Sequence, residues 1–280
     1  MGFQPEESLI VLGIKSEEIT IAMRFDLQAI DSEEIITHLK RWESDTALVL
    51  TYSKESAGNK INDEILRALS STEINVKESL LVTGDLWRST ICQDESCCPA
   101  QGKPLPDINS SVIAAEQVLL GHPMPFASRD ELQQSLRSSS GDEVLIESVR
   151  LQIELMDEID YRKDPKPLQQ EGARAIQRLI ELSSDQEKIV DPSLIASALV
   201  RLRDLQVRDF ALGCITESNL RATIDLWRWI VRIAPTRYVA PAATLLAAAA
   251  YERGEGALAQ SALDRALETD EEYPLAHLLK

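Results

Sequence analysis

A change of hydrophobic period divides this chain, and it constrains the fold more than any other feature. In the first third the apolar residues come in short runs or strict alternation. Further on they recur at three- and four-residue spacing between helix-capping signals. Residues 8–15 (SLIVLGIK) are a continuous apolar run, as in a strand buried on both faces. After a polar turn, Ile19, Ile21, Met23, Phe25 and Leu27 alternate, which predicts an antiparallel hairpin. Ser32 followed by Glu33 and Glu34 predicts a helix start, with Ile35, Ile36, Leu39 and Trp42 inward. Residues 47–52 (ALVLTY) predict a second buried strand. Residues 61–70 predict a helix with Ile65, Leu66 and Leu69 inward, and Val76, Leu80 and Val82 mark a further strand. The order β-β-α-β-α-β implies parallel strands with right-handed crossovers and the hairpin partner at one edge.

No strand signal follows the Pro-containing loop at 99–110. Helices are expected at 111–120, from a Ser128 capping box, over 142–162, from Pro165 to about residue 183, and from an Asp191-Pro192 cap. The last of these is expected to carry Leu194, Ile195, Ala198, Leu199, Leu202 and Leu205 inward. Thr216 is expected to cap a helix running to about Ile233. Residues 239–253 and 257–269 form a helical pair turning at Gly254, with Ala247, Ala259 and Ala266 at the crossing and Leu246 and Leu263 as larger packing residues. The pair is similar to a single tetratricopeptide-type unit, though Ala243, Ala250 and Glu271 depart from that pattern. The expected fold class is therefore α/β followed by all-α: a small mixed sheet domain over 1–105, then a helical domain over 106–280 ending in a tetratricopeptide-like hairpin.

Several segments carry a family resemblance. They are Gly2-Phe3-Gln4-Pro5-Glu6-Glu7-Ser8-Leu9, Asp85-Leu86-Trp87-Arg88-Ser89, Cys92, Cys97-Cys98-Pro99, Gly102-Lys103-Pro104-Leu105, and the closing GEGALAQSALDRALETDEEYPLAHLL. Together they resemble the actinobacterial domain-of-unknown-function family numbered 4192, over nearly the whole chain. The resemblance implies an actinobacterial cytoplasmic protein and carries no activity with it.

Charge narrows the choice of partners. The chain has 29 Lys+Arg against 46 Asp+Glu, a net charge of −17. That excess opposes a phosphate backbone, where basic side chains supply most of the affinity, and it opposes anionic lipid. Residues 1–10 carry acids where a signal peptide has bases, and no apolar run is long enough to span a bilayer. The expectation is a cytoplasmic protein without nucleic-acid or membrane partners.

Four constellations are candidates for chemistry. Cys92, Cys97 and Cys98 lie close in sequence. A zinc site needs three or four ligands converging tetrahedrally. There is no local histidine and adjacent cysteines rarely both reach one ion, so no metal and no cofactor is expected. The thiols are read as small hydrophobes pinning an irregular loop. A zinc site with Asp94 as fourth ligand, and a Cys92–Cys97 redox pair, are the other readings. The second constellation is the carboxyl edge of the sheet, where ligands sit in open parallel sheets. That edge would present Thr51, Tyr52 and Ser53 after one strand, and Thr83, Gly84, Asp85, Trp87 and Arg88 after another. Tyr52, Ser53, Asp85, Trp87 and Arg88 are the ligand-binding candidates, with Arg88 for an anion and Trp87 for stacking. The alternative is an ordinary strand end with Trp87 under the Pro-rich loop. Third, His38, His122 and His277 are too scattered to form a metal-binding spacing, and only folding could pair Cys97 with His122. Fourth, Arg221, Arg228 and Arg232 fall on one helical face, either paired with the protein's own acids or offered to an acidic protein partner. No glycine-rich phosphate cradle or nucleophile elbow is present. The functional expectation is a non-enzymatic binding or adaptor protein using its helical half. The alternative is an enzyme or small-ligand sensor at the sheet edge, near the cysteine loop.

Overall fold

The computed structural model describes residues 2–54, 57–120, 124–137, 143–156, 165–185 and 191–280. The chain folds as two compact units, one of residues 5–124 and one of residues 1–4 with 125–280.

The first unit is built on a mixed sheet of β1 (Ser8–Lys15), β2 (Glu18–Asp26), β3 (Thr46–Tyr52), β4 (Asn75–Thr83), β5 (Leu86–Ser89) and β6 (Lys103–Pro104), in the order β2-β1-β3-β4-β5-β6. β1 runs antiparallel to both β2 and β3, while β3 and β4 are parallel. Two helices cross over between strands, α1 (Ser32–Arg41) from β2 to β3 and α2 (Ala57–Ser70) from β3 to β4. Both crossovers step across the sheet in the same direction, so right-handed connections put both helices on one face. Leu9, Val11, Met23, Ala47 and Val49 point to that face and pack with Ile35, Leu39, Ile65 and Leu69 from the helices. The opposite face carries Ile10, Leu12, Leu48, Leu50, Tyr52, Leu80 and Val82, and of these only Ile10 and Val82 are fully buried.

Local sequence explains most boundaries, and several differ from expectation. The cap of α1 is Asp31, whose carboxylate accepts from the Glu33 and Glu34 amides at 2.9 and 3.4 Å; Ser32 is already helical. Trp42, expected inward, is 53 % exposed because it falls just past the helix end. β5 and β6 are additional to the expected strands. Gly84 and Asp85 form a two-residue turn between Thr83 and Leu86, with Gly84 at φ +59°, where a glycine carries no steric cost. That hairpin folds Leu86–Ser89 back along β4, so the residues expected to lie beyond a strand end are themselves a strand.

Past residue 104 the described residues contain no further strand, only an isolated bridge between Phe3 and Phe126. The helices are α3 (Val112–Leu119), α4 (Arg129–Gln134), α5 (Glu143–Met156), α6 (Pro165–Ser184), α7 (Pro192–Arg201), α8 (Leu205–Gly213), α9 (Leu220–Ile233), α10 (Val239–Glu252), α11 (Gly256–Thr269) and α12 (Pro274–Leu279). Ser111, Ser128 and Asp191 cap their helices as the sequence predicts. The single helix expected from Asp191 through Leu205 is two, because Asp204 caps a new start by accepting from the Gln206 amide at 2.8 Å. Leu205, expected inward, is accordingly 64 % exposed. Thr216 does not cap α9; its own amide donates to Asn219 Oδ1, and the helix begins at Leu220. The helix expected over 142–162 is seen as α5, and residues 157–162 lie outside the described residues.

One continuous apolar core runs through α5 to α11, with Trp227, Tyr238, Leu246 and Leu263 at its centre and Phe3 packed into it. α10 and α11 form an antiparallel hairpin turning at Gly254, and Ala247, Ala259 and Ala266 are completely buried in it. Alanine at those positions lets two helix backbones approach closely, and a larger side chain must displace one of them. Ala259→Leu is therefore expected to cost about 1–3 kcal/mol, read as a lowered thermal midpoint. An unchanged midpoint would place Ala259 away from the helix crossing.

Candidate functional site

The sheet-edge candidates do not converge on one point. Strand pleating sends successive side chains to opposite faces. Tyr52 pairs in register with Val82, and Val82 with Trp87, so Tyr52 and Trp87 share the face opposite α1 and α2. Burial raises the Tyr52 hydroxyl pKa above its ordinary value. Trp87 is half-buried, with the Lys103 ammonium 5.9 Å from its ring centre. Arg88 pairs with Leu81 and therefore points to the helix face, where its guanidinium donates to Asn59 Oδ1 of α2. Asp85 is exposed at the hairpin tip. Ser53 is buried and donates to Glu7, which also accepts the Lys54 amide at 2.6 Å. The carboxyl end of β4 is thus closed by its own hairpin.

Beneath α2 lies a polar network that the residue types alone do not reveal. Asn62 is completely buried. Its amide nitrogen donates to Thr51 Oγ1 at 3.1 Å and to Ser79 Oγ at 2.9 Å. Its carbonyl accepts from Ser79 at 3.2 Å and from Thr90 at 3.0 Å. The Thr90 amide donates to the Ser79 carbonyl at 2.8 Å. The network ties α2, β3 and β4 to the first residue after β5, and its members are satisfied by one another.

The chain leaving this network carries the cysteines. The Cys92 amide donates to Ser89 Oγ at 3.0 Å, and Ser89 donates to Glu78 at 2.7 Å. The amides of Cys97 and Cys98 both donate to the Asp94 carbonyl, at 3.1 and 2.6 Å, which closes one helical turn. In such a turn successive side chains diverge by about 100° rather than pointing oppositely as in a strand. The sulfurs of Cys92, Cys97 and Cys98 all lie within 4.8 Å of one another. Although Cys97 and Cys98 are adjacent, this turn lets both sulfurs approach Cys92. Cys97 is exposed, and Cys92 and Cys98 are half-buried. The Cys98 thiol is pushed up to about 11, first by its hydrogen bond with Cys92, then by burial and by Cys97. Asp94 accepts from the amide and hydroxyl of Ser96 at 2.9 and 2.7 Å, which holds its carboxyl below the usual range and gives it a capping role.

The arginine face of α9 is also divided. Arg228 sits 5.4 Å from the Phe126 ring centre and donates to Ser135 Oγ at 2.9 Å. Burial lowers its pKa, Asp225 opposes that shift and the neighbouring Arg232 adds to it. Arg221 is exposed and Arg232 half-buried. Arg228 thus braces α9 against the segment before α4 and α4's end. A second buried cation, Arg201, carries no signature in the sequence pattern. It is 1 % exposed and lies 3.4 Å from Glu171, which also accepts from Ser197 at 2.8 Å. Gly172 makes room for it, since a Cβ there would stand 2.5 Å from Arg201 Cβ. Of the histidines, His38 lies on α1 near Glu34, the His277 ring meets the Glu271 carbonyl at 2.7 Å, and His122 lies outside the described residues.

The least expected surface is α3. Six of its eight residues (VIAAEQVL) are apolar, yet none is buried. Ile113 is 71 % exposed and Leu119 86 %, with Val112 and Leu120 beside them. Among the described residues, no helix is long and apolar enough to cross a membrane.

The family model described as "Domain of unknown function (DUF4192)" matches residues 1–280. No curated protein and no solved structure matches.

The Asn62 network yields a direct expectation. Asn62→Ala strands the buried Thr51 hydroxyl and leaves Ser79 Oγ with Thr90 alone, so stability in denaturant should fall by about 1–3 kcal/mol. A smaller loss than from half-buried Asn59→Ala would mean that the network is not closed as described.

Proposed function

The chain belongs to the DUF4192 family, and we propose that it is a non-enzymatic, cytoplasmic binding protein that docks on a protein partner through α3. The observation that carries this reading is the apolar helix with no buried residue. Val112 and Leu119, and Ile113 and Leu120, are seven residues apart, so each pair recurs on the same side after about two turns. Such anchors suit an apolar groove on another protein, the helix-in-groove mode of recognition. Glu116 is the lone charge on the helix, so burying it removes little else from water. The net charge of −17 argues against a nucleic-acid partner. The α10–α11 hairpin, read as a tetratricopeptide-like unit, serves here as scaffold.

The reading of the sheet edge as an enzyme or ligand-sensor site draws less support, since Arg88 is engaged on the face opposite Tyr52 and Trp87. An acidic partner on the arginine stripe likewise loses Arg228, which Phe126 and Ser135 hold.

The test is the double variant Ile113→Asp with Leu119→Asp. Exposed side chains contribute little to stability, so the thermal midpoint should stay within about 1–2 °C of wild type. A partner captured by cross-linking should be lost, because central apolar anchors each contribute about 2 kcal/mol or more to binding. A midpoint lowered by many degrees, or the same partner at the same yield, would contradict the reading.

A further inference from the structure

We infer that Cys92, Cys97 and Cys98 form a zinc site with three thiolate ligands and one coordination position left to a small exogenous ligand. Four features of the loop lead there.

The first is sulfur spacing. Zinc–sulfur bonds of about 2.3 Å in a tetrahedron put neighbouring sulfurs about 3.8 Å apart. The Cys97 and Cys98 sulfurs are 3.8 Å apart, and all three sulfurs lie within 4.8 Å of one another. A disulfide needs about 2.05 Å between two sulfurs and makes no use of a third. Convergence of three is what an ion requires.

The second is how the loop is held. Cys92 is fixed to the end of β5 through Ser89, and one helical turn over the Asp94 carbonyl brings the following thiols near it. Beyond them the Gly102 amide donates to the Pro99 carbonyl at 2.9 Å, and Lys103–Pro104 returns as β6 to pair with Leu86 and Trp87 of β5. Both ends of the segment are therefore bonded to the same strand, which fixes the backbone that carries the sulfurs.

The third is solvent exposure. A thiol acting as a small hydrophobe sits in an apolar core. Cys214 does this, half-buried against the helical core. The other three belong to neither apolar core, and Cys97 is exposed. Cys97 is at the surface and Cys92 and Cys98 are only half-buried outside both cores, so hydrophobic packing does not account for the cluster.

The fourth is ligand count. Among the described residues no histidine or carboxylate joins the three sulfurs. Asp94 is occupied by Ser96. Structural zinc sites close all four positions with protein ligands, whereas three protein ligands leave a position for water or another small donor. Binding releases any thiol protons to solvent, and three thiolates with Zn²⁺ leave the site with a charge of about −1.

The full-length chain, expressed with zinc and purified under reducing conditions, should contain about one zinc per chain by elemental analysis. Cys92→Ser and Cys97→Ser should each lose most of it, and Cys214→Ser should retain it. Cobalt(II) added to chelator-treated protein should give an intense thiolate-to-metal charge-transfer band. Where a serine variant fails to fold, wild type alone decides the matter by thiol counting: zinc should shield three of the four cysteines from alkylation, and a chelator should release them. Zinc-free protein with no thiolate–cobalt band and four equally reactive thiols, or zinc retained by folded Cys97→Ser, would overturn the inference.

Discussion

The sheet unit depends on one constraint: both crossover helices lie on the same face. Each right-handed connection steps from β2 past β1 to β3 and then to β4, so α1 and α2 stack side by side over Leu9, Val11, Ala47 and Val49. Nothing in that progression reverses, so the sheet offers no switch point between its parallel strands at which a crevice would open. The chain then leaves β4 by a two-residue hairpin instead of a third crossover. That choice turns the far edge into antiparallel β5 and β6 and hangs residues 90–102 between them as a loop anchored at both ends.

The Asn62 network follows from the same arrangement. A helix packed over a parallel strand pair would ordinarily bury apolar residues only, and here it also buries Thr51 and Ser79. A partly satisfied polar group in that position costs about as much as a lost hydrogen bond, so the donors and acceptors must match closely. They do, and Thr90 is drawn in as the fourth member. The network therefore fixes where the cysteine loop begins.

Much of this is legible in the sequence, and the misses have physical causes. β1 and β3 follow from continuous apolar runs, and β2, β4 and both crossover helices from the spacing of their apolar residues. β5 is hidden by its length and by Arg88 and Ser89, which dilute its apolar signal. The signal that could have found it is Gly84-Asp85 between Val82-Thr83 and Leu86-Trp87, a two-residue hairpin loop with glycine at its first position. Asp204 and Asn219 redraw two helix starts, because a local side-chain bond to the backbone overrides a continuous apolar stripe. The cysteines are legible as a group but not as a cluster, since whether Cys97 and Cys98 face one point depends on the turn over Asp94. α3 reads correctly as a helix. Its lack of burial cannot be seen, because an apolar helix that packs and one that waits for a partner have the same pattern.

Two crossover helices on one face, a hairpin edge and a loop bonded at both ends act together to bring three thiols to one point with metal-like spacing. X-ray absorption at the zinc edge on the purified full-length chain tests that convergence most directly. The expected spectrum shows three sulfur neighbours at about 2.3 Å and one lighter neighbour at about 2.0 Å. A spectrum fitted by oxygen and nitrogen neighbours alone, or by two sulfurs, would contradict it.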